Sequence, residues 1–133
     1  MFQRNLKIGR WHIEFYFCPD GYDIDYILER MYAFGANATK LRRALASMES
    51  GELNRGFTFT NGLDYRAIVV IGPTSSGAEF QNTLTHEAMH LAIAIADGLG
   101  IDLRSETPAY IIGDSVRELA GVVCALGCED CNK

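Results

Sequence analysis

Apolar and polar positions first alternate clearly between Trp11 and Phe17, where Trp11, Ile13, Phe15 and Phe17 are interleaved with His12, Glu14 and Tyr16. A period of two predicts a strand with one buried face. Pro19-Asp20-Gly21 ends it as a turn. The period then lengthens. Ile24, Ile27, Leu28, Met31, Phe34, Ala38, Leu41, Leu45 and Met48 recur at three- and four-residue spacing. This predicts one long amphipathic helix, or two shorter ones broken near Gly35-Ala36-Asn37. Arg30, Lys40, Arg42 and Arg43 fill the remaining positions, and the last three read as a solvated basic face.

Gly56 to Gly72 reads as a hairpin. Phe57 and Phe59 alternate with Thr58 and Thr60, and Asn61-Gly62 suits a type I′ turn. The β-branched run Ile68 to Ile71 suits an inner strand. Pro73 to Gly77 is a loop in which Ser76 and Glu79 form a capping box. A helix should run from there to Asp97, with Gly98 as its C′ residue. After a break at Gly100 to Arg104, Ser105 or Thr107 caps a last helix that ends near Gly127, with Pro108 tolerated in its first turn. The fold class expected is α+β: an N-terminal strand, one or two helices, a hairpin, a long helix and a final helix.

The chain has 133 residues, which fits one domain and a core that needs no disulfides. The last seven or so residues read as a cysteine-containing tail. No apolar run approaches the ~18 residues that span a bilayer. Met1 to Arg10 alternates polar and apolar residues, with no apolar leader core and no small-residue cleavage site. A cytoplasmic location with reduced thiols follows as the expectation. The formal charge is −5, and no aromatic platform is interleaved with basic residues, so neither nucleic acid nor a membrane is the expected partner. Of the four cysteines, Cys124, Cys128 and Cys131 crowd the end, but no second pair of ligands completes a zinc knuckle, so they read as plain thiols.

The long helix carries the chemistry. His86-Glu87-Ala88-Met89-His90 is an H-E-x-x-H sequence. At about 100° per residue the two histidines lie about 40° apart on one face, where two imidazoles can share one metal ion. Glu87 flanks that face, within reach of a water on the metal. Phe80, Leu84, Ala88, Leu91 and Ile95 form the opposite stripe, which should bury against the sheet. Glu79 and Asp97 share the histidine side and are candidates to orient the imidazoles.

A catalytic zinc site takes three protein ligands and one open position. His12 sits on the polar face of the first strand, and Ala96 occupies the place of a metzincin's third histidine. The remaining choices are Asp97, Asp102, Glu106 and Asp114. Asp97 lies roughly 10 Å along the axis from His90, too far to share an ion. Glu106 opens the next helix, after a loop long enough for that helix to turn back, and is the preferred third ligand.

An H-E-x-x-H helix followed by a glutamate near the start of the next resembles the gluzincin group of zinc metallopeptidases. Ile68 to Glu118 looks like small, mostly uncharacterised metallopeptidase-like proteins of phages and mobile elements. The likeness rests on Ile68 to Ile71, His86-Glu87-x-x-His90, and Glu106-Thr107-Pro108-Ala109-Tyr110 with Gly113. It implies one zinc ion held by His86, His90 and Glu106, Glu87 as general base, and a zincin-like fold with a small sheet under the helix. The spacing from His90 to Glu106 is short for that group, and Tyr110 replaces the aspartate that larger members place four residues after the glutamate. Tyr110 is then a candidate to hydrogen-bond a ligand or a substrate oxyanion. The activity implied is peptide-bond hydrolysis by a metal-activated water, on a protein or peptide laid along the sheet edge. The alternative is a non-catalytic binding or scaffold protein that keeps the metal for stability.

Overall fold

The computed structural model describes residues 1–127. Cys128 and Cys131, with the tail expected there, lie outside the described residues. The elements run β1 (Phe2–Ile8), β2 (Trp11–Phe17), α1 (Gly21–Ala33), α2 (Ala38–Glu49), β3 (Gly56–Asn61), β4 (Arg66–Ile71), α3 (Gly77–Gly98), α4 (Thr107–Glu118) and α5 (Ala120–Gly127). The fold is mixed α and β, with one four-stranded sheet and five helices among the described residues.

The strand order is β1-β2-β4-β3. β1 pairs antiparallel with β2, β3 pairs antiparallel with β4, and β2 and β4 join the two hairpins in parallel, from His12 beside Arg66 to Phe17 beside Ile71. The parallel seam is possible because α1, α2 and β3 carry the chain back across the sheet. β1 is an element beyond those expected. It is a polar edge strand in which only Gln3, Leu6 and Ile8 are partly buried, and its weak alternation carries little signal.

Helices cover both faces of the sheet. Ile13, Phe15 and Phe17 of β2 and Ala67, Val69 and Ile71 of β4 pack with Phe80, Leu84, Leu91 and Ile95 of α3. The alternate positions Tyr16, Ile68 and Val70, with Phe59, pack under α1 and α2 against Ile27, Met31, Phe34 and Ala44. The single buried face expected for β2 is therefore corrected: Glu14 and Tyr16 are buried as well. Glu14 survives there because it is paired. Arg30 of α1 donates to its carboxylate from Nε at 3.0 Å and from Nη2 at 2.7 Å, and the Tyr16 hydroxyl donates to it too. Burial opposes ionisation of Glu14, but the bonds from Arg30 and Tyr16 and the charges of Arg30 and Arg66 outweigh it and hold the carboxyl below its ordinary value.

Of the two alternatives for the region from 24 to 48, the structure has two helices broken at the expected place, because Gly35 takes φ +96° and its N–H bonds Tyr32 O while the Ala36 N–H bonds Met31 O. Two local expectations change. The β3–β4 turn is a four-residue loop, Gly62 to Tyr65, instead of a two-residue I′ turn. Asn61 Oδ1 accepts the Leu63 N–H at 3.1 Å, and Tyr65, not Gly62, takes the positive φ. The last helix is interrupted at Leu119, just after Ser115 Oγ back-bonds to Ile111 O at 2.8 Å.

Candidate metal centre

α3 begins where Ser76 Oγ accepts the Glu79 N–H at 3.1 Å. It ends at Gly98, one residue later than expected. Gly100, rather than Gly98, takes the left-handed conformation, with its N–H on Asp97 O and the Ile101 N–H on Ala96 O. Phe80, Leu84, Ala88, Leu91 and Ile95 are buried, as their stripe predicts. That packing fixes the rotation of the helix and leaves His86 and His90 exposed.

Their Nε2 atoms are 3.2 Å apart. A tetrahedral ion with bonds of about 2.0–2.1 Å to nitrogen holds two such atoms about 3.3 Å apart, so the pair is spaced as two ligands of one ion. Glu87 points toward the sheet. It is 5% exposed, and its Oε1 accepts the Thr58 hydroxyl of β3 at 3.0 Å. The same hydroxyl lies 3.2 Å from the Glu87 main-chain oxygen and so ties the helix to the strand. Gly56 makes this approach possible, since a Cβ there would lie 2.7 Å from Val70 O and 3.0 Å from Glu87 Cγ. Gly56, Phe57, Thr58 and Thr60 line an open cleft of about 450 Å³ with His86, Glu87 and His90.

Sequence reasoning missed Thr58 and Gly56. Their only signal was the Thr face of the β3 alternation, opposite Phe57 and Phe59.

The other expected residues are not gathered with the pair. Glu106 precedes α4 as its N-cap, is exposed, makes no side-chain cap bond, and accepts the Tyr110 hydroxyl at 3.2 Å. The cap therefore comes from neither Ser105 nor Thr107. Tyr110 is 64% exposed. Among the described residues no three His, Cys, Asp or Glu side chains form a group able to hold a metal ion. α4 explains this: it packs on α3 and β1, with Asp114 beside Lys7 and Gly9, whereas the histidines lie beside β3 at the other edge. Glu79 and Asp97 make no hydrogen bond to either imidazole, and His12 is exposed on β2.

No family model, no curated protein and no solved structure matches the chain. Among the described residues no helix is long and apolar enough to cross a membrane.

Proposed function

We propose that the chain is a zinc-dependent metallopeptidase of zincin-like fold, with His86 and His90 as metal ligands and Glu87 as general base; Glu106, the third ligand expected from the sequence, stands apart from this pair. The observation that carries the reading is the pairing of two Nε2 atoms at ligand spacing with a carboxylate fixed by Thr58 in the same cleft. Further support comes from β3, which among the described residues is an edge strand of the sheet beside that cleft and leads through β4 into α3.

Zinc in such a site supplies Lewis acidity, which polarises a substrate carbonyl and makes water a better nucleophile near neutral pH. The residues of the chain do the rest. His86 and His90 would hold the ion on one helix face. Glu87 takes the proton of the attacking water at a carboxylate oxygen and returns it to the leaving amine. The Thr58 bond to Oε1 holds that carboxylate against β3. An extended peptide adding to β3 brings its carbonyls past the two imidazoles.

Elemental mass spectrometry on untagged protein purified without chelator tests the ligand set. About one zinc per chain is expected, lost in His86→Ala and in His90→Ala, and retained in Glu106→Ala, because the Glu106 side chain stands apart from the pair. Peptide cleavage should vanish in Glu87→Gln with the metal retained. No stoichiometric zinc, even after zinc is added, overturns the proposal. The separation of Glu106 from the pair favours a second reading, a non-catalytic binding protein, for which Glu87→Gln leaves function intact.

A further inference from the structure

β3 has two differently furnished sides. The Gly72 N–H bonds Arg55 O at 2.8 Å, so the ladder alternation turns the main-chain groups of Phe57, Phe59 and Asn61 toward β4. Those of Gly56, Thr58 and Thr60 face outward, and among the described residues no main-chain bond beyond the sheet is made to them. On the α3 face of this edge lies the histidine cleft. On the α2 face lies a second cavity of about 300 Å³, floored by Met31, Ala44 and Phe59, with Lys40 and Arg43 beside it.

Lys40 Nζ is 5.2 Å from the Phe59 ring centroid, which holds the ammonium over the cavity. Both cations are exposed, and among the described residues neither makes an ion pair. In a chain of formal charge −5, two unpaired cations over an apolar floor form a local field of the opposite sign. A strand added to an edge sends successive side chains to opposite faces. One set reaches the histidine cleft and the other reaches Lys40 and Arg43.

We propose that this edge selects extended peptides carrying acidic side chains at alternate positions, with the carboxylates over the α2 cavity at Lys40 and Arg43. The inference names the substrate class of the peptidase proposed above and rests on that reading only for cleavage, not for binding.

The test is fluorescence anisotropy with the full chain and three fluorescein-labelled eight-residue peptides of alternating Thr-Glu, Thr-Gln and Thr-Lys. The Thr-Glu peptide is expected to bind at least about tenfold more tightly than Thr-Gln, with the gap narrowing between about 50 and 300 mM salt. Lys40→Glu with Arg43→Glu should transfer the preference to Thr-Lys. Lys40→Gln with Arg43→Gln should abolish it, and circular dichroism shows that each variant is folded. Equal affinity for the three peptides, no binding to any, or a preference unmoved by the double reversal overturns the proposal. So does sedimentation showing that a second copy of the chain occupies the edge. Charge-selective binding without cleavage would count against the peptidase alone. Cleavage without charge preference would count against this inference alone.

Discussion

A carboxylate buried as deeply as that of Glu87 needs a donor, and Thr58 supplies it from the neighbouring strand. Thr58→Val keeps the side-chain shape and removes the hydroxyl. It should lower the unfolding free energy by about 1–3 kcal/mol, the cost of leaving a buried acceptor unpaired. Urea titration followed by circular dichroism measures this, and a change under about 0.5 kcal/mol shows that Glu87 finds another partner. The histidine pair was legible because both members sit on one helix, where spacing alone fixes direction. Thr58 was not, because its partner is 29 positions away and only the folded sheet brings them together. Glu106 was read from distance along the chain. Its actual placement follows α4, which is turned toward β1 by the burial of Pro108, Ile111 and Ser115.

Elements were legible where a local device marks them. Gly35 separates α1 from α2, and its hydrogen at Cα is needed twice: for φ +96°, and because a Cβ would lie 2.7 Å from Asn61 Nδ2. That amide donates to Phe34 O at 2.9 Å, which couples the end of α1 to the β3–β4 turn. Gly35→Ala should therefore cost about 1–2 kcal/mol, combining left-handed strain with displacement of Asn61. The midpoint of thermal unfolding should fall accordingly, and an unchanged midpoint would mean that the turn yields freely. β1 and the break between α4 and α5 carry no comparable marker. β1 is half polar along its length, and the break falls at Leu119, a residue that is neither Gly nor Pro and so marks nothing in the sequence.

Across the whole molecule the sheet is covered on both faces, and that arrangement forces Glu14 into an interior site. Alternation along β2 predicted which residues meet α3, but it could not show that α1 and α2 fold back over the other side. The resulting ion pair gives the fold an acid limit. The Glu14 carboxyl is held below its ordinary value of 4.5, so its contribution is fully present above about that pH and is lost as pH falls through the lower folded value. In urea titrations at stepped pH, the stability advantage of the wild type over Glu14→Gln should be constant above about pH 5 and shrink below about 4.5. An advantage equal at pH 3 and pH 7 would place the acid sensitivity elsewhere. The parallel seam between β2 and β4 has a different consequence, one of time. Each hairpin closes over a short turn, whereas the seam joins positions about fifty residues apart and must wait for the ends of that long loop to meet. The histidine helix and its edge strand belong wholly to the second hairpin unit. The geometry of the cleft is thus written into the stretch from Gly56 to His90, while the speed at which the molecule becomes whole is set by how quickly β1 and β2 find it.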